Sequence, residues 1–205
     1  MDLSQNNQRE FDAQEFRGLV HPQIDLSQRT FTGCTFMRCN FRETVFKDCR
    51  FRECTFKHCD LSLANLAGCV LGSVRLEDCS LVGVNWIDVA WGQSKLFKPL
   101  EFFRCALNHA SFSGLDLKKI QMVKCTAHDV DFSDADLSQA NCRGTDFANS
   151  RFVHSNLSEA DFREAHHYVI APHLNTLKKT RFSLPEAESL LYNLDILLEE
   201  EPVDG

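Results

Sequence analysis

The 205-residue chain has no uninterrupted apolar run of the roughly 20 residues a bilayer-spanning helix needs. Its first twenty residues are polar and lack an apolar signal core. Both absences predict a soluble, cytoplasmic protein with no membrane partner. No C-x-x-C pair occurs, so its ten cysteines lack the spacing of a zinc or thioredoxin-like site. No Gly-rich phosphate loop, G-x-S-x-G or H-E-x-x-H is present. Asp134 and Asp136 form an outward carboxylate pair, but on a convex surface nothing would shift their acidity. His166 and His167 read as polar groups closing an end. The expectation is a non-enzyme with no catalytic residues, cofactor or metal.

What the chain does have is a five-residue clock. Large apolar residues fall at Leu26, Phe31, Phe36, Phe41, Phe46, Phe51, Phe56, Leu61, Leu66, Leu71, Leu76, Leu81, Trp86 and Trp91. The phase slips by one inside "WGQSKLFKPLE" and resumes at Phe102, running to Phe162. Two residues before most of these sits a small or β-branched residue, such as Cys34, Cys39, Cys49, Ala64, Val84, Cys125 or Ala140. A period of five suits neither helix nor flat strand, because it buries no single face of either. It is therefore an internal repeat with its own geometry.

Its cleanest stretch, "ADLSQANCRGTDFANSRFVHSNLSEADF" at 135–162, resembles the pentapeptide repeat A(D/N)LXX. That resemblance implies an all-β solenoid, a right-handed quadrilateral β-helix with four pentapeptides per square coil. Residues n and n+20 would then stack about 4.8 Å apart. Each face would contribute one large and one small inward side chain, and both open ends would need caps. The expected organisation is an N-terminal lead-in at 1–25, a β-helix at 26–165 with a phase break at 92–101, and a C-terminal cap and dimerisation helix at 166–205. Nine cysteines occupy the small inward position and Cys142 the large one, so all are expected to behave as buried hydrophobes.

Beyond the rod, Ser183 and Glu186 form a capping box, with Pro185 in the first turn. Leu184, Ala187, Leu190, Leu191, Leu194, Leu197 and Leu198 follow at helical spacing, predicting an amphipathic helix. Such a helix could plug the last coil or pair with its copy, and its broad apolar face favours both. The interface would comprise Leu184, Ala187, Leu190, Leu191, Leu194 and Leu198 of a homodimer. At the break, Gly92, Lys95, Lys98 and Pro99 are candidate contact residues, with an extra residue bulging outward.

The formal charge of −7 is unevenly placed. Residues 26–100 carry +3 and residues 101–165 carry −3, and residues 126–165 alone reach −5. Over two coils that is about one charge per 2 Å of axis, against one per about 1.7 Å for duplex DNA. Outward aspartate is also what the repeat consensus demands, so a solubilising face accounts for the same residues. The candidate binding residues are Asp129, Asp131, Asp134, Asp136, Asp146 and Asp161. The basic coils, with Arg38, Arg42, Lys47, Arg50, Arg52 and Lys57, do not look like DNA.

"GVNW" at 83–86, the mid-rod break and the tail "RFSLPEAESLLYNLDI" together resemble the gyrase-interacting branch of the family. That branch includes quinolone-resistance and microcin-immunity proteins, and the tail is nearest to the albicidin-resistance type. The resemblance implies a dimeric rod that mimics DNA, binds DNA gyrase and protects it from topoisomerase poisons, with topoisomerase IV a second candidate and no direct nucleic-acid binding. The alternatives are a scaffold for an unrelated protein, or sequestration of a toxin beside Trp86 and Trp91.

Overall fold

The computed structural model describes Leu3, residues 7–91 and 100–192, Leu194 and Ile196. A strand here is only three residues long. One inward side chain sits at its centre and the chain turns a corner two residues later. Strands β1 (Glu10–Asp12), β3 (Thr30–Thr32), β5 (Arg50–Arg52) and β7 (Val70–Gly72) pair in parallel as one sheet, with β2 (Glu15–Arg17) and β4 (Thr35–Met37) on the next face. That second face continues through β6 (Thr55–Lys57), β8 (Arg75–Glu77), β9 (Glu101–Phe103) and β10 (Gln121–Val123). Partners are twenty residues apart, as in Phe16 against Phe36 and Phe36 against Phe56. The result is an all-β solenoid of about eight turns.

Corners need φ > 0, which most L-residues resist. Among the described residues 24 non-glycines adopt it, nearly all two positions after an inward residue, as at Arg38, Glu43, Asp129 and Asp134. The strain is repaid in hydrogen bonds. Glu43 N–H donates to Ser62 O and Asn40 N–H donates to Leu19 O, so each coil is tied above and below. At Gly68, also at positive φ, a Cβ would lie 2.2 Å from Asp48 Oδ1, so a larger residue there needs that exposed side chain to swing away.

The core is a set of ladders. Phe16, Phe36 and Phe56 stack face to face at 4.9 and 4.5 Å, while Phe31 meets Phe36 edge-on at 5.3 Å. All ten cysteines are free and buried. Their thiols do more than pack: Cys54 Sγ donates to Phe31 O at 3.3 Å, 23 residues back. Thr145 and Ser155 use their hydroxyls on the carbonyl at the same offset. The small position therefore selects for a short donor as well as for size, which explains how Cys, Ser and Thr share it.

The coil reaches further than the apolar clock. Phe11 and Phe16 are already stacked beneath Phe31 and Phe36, within the segment read as a lead-in. At the other end Asp161 bridges Arg181, and Phe182 packs on Phe162 at 5.7 Å. His21 and the segment around Pro172 interrupt the apolar rhythm, which hid both extensions. Leu3 is fully buried; its N–H donates to His21 Nε2 at 3.2 Å and its carbonyl accepts from Arg29 at 3.1 Å, plugging the first coil.

The break is larger than one residue. Leu76 pairs with Phe102 and Ser80 with Ala106, an offset of 26 where the neighbouring coils have 20. Six residues are added, one pentapeptide plus one, and the phase slip of one is the remainder. Trp86 is buried and stacks on Phe112 at 5.5 Å. Trp91 is only half-buried, and its indole N–H donates to Trp86 O at 2.7 Å.

The C-terminal helix is a correction. No α-helix exists among the described residues; Glu186–Leu190 is a five-residue 3₁₀ helix. Glu188 N–H donates to Pro185 O, Leu191 N–H to Glu188 O and Leu194 N–H to Leu191 O, all of them i→i−3 bonds. The capping-box side chains are taken by the rod. Ser183 Oγ accepts from Glu164 N–H at 2.9 Å, and the Glu186 carboxylate accepts from His167 N–H. Interior coils fill those acceptor places with the carbonyl nineteen residues on, so two side-chain oxygens stand in for a coil that is not there. Of the proposed interface, Leu190 packs on the core, Ala187 is half-buried, Leu184, Leu191 and Leu194 are exposed, and Leu198 lies outside the described residues.

Candidate protein-binding surface

The six candidate aspartates fall into two kinds. Asp131, Asp136, Asp146 and Asp161 precede an inward residue, and each accepts a backbone N–H two positions on: Ser133 at 2.9 Å, Ser138 at 2.9 Å, Ala148 at 3.1 Å and Arg163 at 3.1 Å. This is a local Asx turn, also made by Asp25 and Asn65 elsewhere in the rod. These four carboxylates hold the coil. Asp129 and Asp134 occupy positive-φ corners and project outward, with side chains 47% and 66% exposed.

Ion pairs divide the same way. Arg163 holds Asp161 at 2.6 Å, pulling that carboxyl below its usual range, and Lys118 reaches Asp136 at 3.3 Å. Asp129, Asp134 and Asp146 are instead met by histidines: His109 at 3.8 Å, His154 at 3.7 Å, and both His128 at 3.0 Å and His167 at 2.8 Å. Burial would raise the Asp146 carboxyl, but hydrogen bonds from His167, His128 and Ala148 N–H outweigh it and hold it low. The His167 imidazole is raised by the same hydrogen bond. Sequence reading missed these pairs. The 20-residue register was the signal, since His109/Asp129 and Asp134/His154 are one coil apart.

The basic coils are partly neutralised, with Arg42 3.3 Å from Glu43 and Lys57 3.4 Å from Glu77. Gly92, Lys95, Lys98 and Pro99 lie outside the described residues. The rod is not uniformly convex. Strands β11 (Arg151–Phe152) and β12 (Val169–Ile170) pair at an offset of 18, and beside this contraction opens a groove of about 590 Å³ whose lining includes Val153, Val169 and Leu174. Among the described residues no group of His, Cys, Asp or Glu is arranged to hold a metal, and no helix is long and apolar enough to cross a membrane.

A ladder-cored stack of five-residue faces defines a repeat solenoid that displays its polar side chains outward. The pentapeptide repeat region profile matches residues 29–99 and 84–162. The chain belongs to the pentapeptide-repeat family. Among solved structures, a trypsin-treated form of QnrB1, a plasmid-mediated fluoroquinolone resistance protein, superposes with a TM-score of 0.69 at 19% identity, covering 94% of this chain and 95% of that one. A second treated form of QnrB1 gives 0.61 at 17%, covering 93% and 100%. HetL, involved in heterocyst differentiation regulation in Nostoc sp. strain PCC 7120, gives 0.48 at 15%, covering 85% and 87%. No curated protein matches the sequence.

Proposed function

We propose that this chain is a cytoplasmic DNA gyrase-binding protein that protects the enzyme from topoisomerase poisons. The carrying observation is the acidic surface displayed by the C-terminal half on rigid coils, in a rod whose fold matches QnrB1 end to end. A stack of parallel coils fixes outward charges at a regular rise, as a duplex fixes phosphates. Such a surface complements the positive groove in which a topoisomerase holds DNA, and charge of this kind chiefly steers association. Because four of the six aspartates hold the coil, recognition falls to Asp129 and Asp134, with Asp146 at the edge.

In a supercoiling assay with a poison present, the protein is expected to restore activity at low concentration and to inhibit at high concentration. The double variant D129K/D134K keeps its fold and loses at least about tenfold in potency, since two reversals change the local charge by four. Rescue by neither protein, against several poison classes, would leave a scaffold whose partner must be found by pull-down.

A second copy of the chain is the other proposed partner. Leu184, Tyr192 and Ile196 are 79%, 71% and 50% exposed at the C-terminal end, an apolar cluster that a monomer leaves in water. Pairing there puts the acidic coils at the centre of a longer rod. Sedimentation is expected to show twice the 23.4 kDa chain mass, reduced to one chain by L184E/Y192E; a wild-type monomer at micromolar concentration rejects this contact.

A further inference from the structure

We propose that the histidines stacked against the acidic surface gate its binding to a cationic protein partner, permitting it while the imidazoles are neutral and weakening it once they protonate. The inference rests on the gyrase-binding reading above and adds regulation to that same surface. Six of the eight histidines lie between residues 109 and 173, the half that also holds the acidic surface. Among the described residues no Lys or Arg forms an ion pair with Asp129, Asp134 or Asp146, whereas Asp136 and Asp161 have permanent cations beside them. Of the coil-holding carboxylates, Asp136 and Asp161 carry fixed cationic partners, while the two outward ones, Asp129 and Asp134, carry histidines.

The groups facing each imidazole are few. His109 faces Asp129, and His154 faces Asp134. His128 faces one oxygen of Asp146 while His167 faces the other. His167 also donates its backbone N–H to the Glu186 carboxylate, and its ring lies 6.3 Å from that of His166. The hydrogen bond to Asp146 raises the His167 imidazole above its ordinary value, towards neutrality. With imidazoles neutral, residues 126–165 carry −5. Protonating His128, His154 and the adjoining His167 brings that surface to −2, and His109 cancels a further charge at its edge.

The same protonation has the opposite sign for the fold. A histidine raised by its partner stabilises the native chain at pH below its unfolded value of about 6.5. That contribution is lost as pH rises through the higher folded value. Acid therefore tightens the His167–Asp146 contact at the C-terminal end while it discharges the surface. Tm measured beside binding at both pH values therefore separates the gate from unfolding.

The test measures binding to purified gyrase at about pH 8 and about pH 6 at fixed ionic strength. Wild-type affinity is expected to fall about tenfold or more, and that of H109Q/H128Q/H154Q/H167Q by no more than about twofold. Absence of wild-type binding at the higher pH sinks the gyrase reading and this inference with it. Binding that ignores pH, or that weakens equally in the variant, leaves the gyrase reading standing and overturns the inference. Should the quadruple variant fold poorly, NMR titration of His167 in the wild type decides: its imidazole must change charge across that interval, and one silent throughout it refutes the gate.

Discussion

Phe36→Ala is expected to destabilise the chain by about 3–5 kcal/mol, the range for deleting a buried aromatic. Phe36 is 0% exposed and touches five other rings. It stacks between Phe16 and Phe56, and meets Phe31, Phe41 and Phe51 edge-on at 5.3, 5.8 and 6.3 Å. Aromatic pairs add about 0.5–1.5 kcal/mol each beyond their burial, so truncation removes geometry as well as area. In a solenoid each coil rests only on its neighbours, and the cavity has no third layer to collapse into it. Phe36→Leu should cost much less, because leucine already fills that column at Leu76. Urea unfolding would measure both variants. A loss below about 1 kcal/mol for the alanine variant would mean that the coils relax around the void and that the ladder is not what sets stability.

The second large effect is chemical silence. None of the ten thiols should react rapidly with a disulfide reagent in the native chain, and all ten should react in denaturant. A thiolate is the nucleophile, and burial or a neighbouring thiol holds several of these thiols protonated. Burial pushes Cys54 up to about 12, and the hydrogen bond with Cys105 does the same for Cys79. Cys142, wholly buried, is driven higher still by desolvation. Cys49 is the exception, lowered by the hydrogen bond from Cys69, which is itself raised. The first thiol to appear on partial opening should therefore be Cys49. An immediate equivalent in the folded protein would show that the ladder breathes at a coil the structure depicts as closed.

The interior of this fold was readable because one rule repeats. Phe31, Phe36 and Cys54 announce the coil and the side of it they occupy, since every buried position recurs at the same offset. The ends were not readable in that way. Ser183 and Glu186 carry the local signature of a helix start, and local propensity gives no hint that Glu164 and His167, nineteen residues earlier, lack acceptors. A tertiary need claimed side chains that the local pattern had assigned elsewhere. The surface was half-readable. Counting aspartates found the acidic coils, but a count cannot separate Asp136, bound to the Ser138 N–H, from Asp134, which faces solvent. Likewise Thr145 and Ser155 fit the small position by size alone, and only their carbonyl partners show what the hydroxyls add.

The 26-residue coil carries a different kind of consequence. Because Leu76 still pairs with Phe102 and Asn85 with Ser111, the ladders on either side stay aligned across the added six residues. The addition is thus a splice between coils that stay in register. Closing a longer connection costs only about 0.6 kcal/mol per doubling of its length. A change of length in such an addition therefore costs the rod little. Selection for a new partner can act there with little risk to folding, which makes this solenoid a chassis in which recognition evolves separately from architecture.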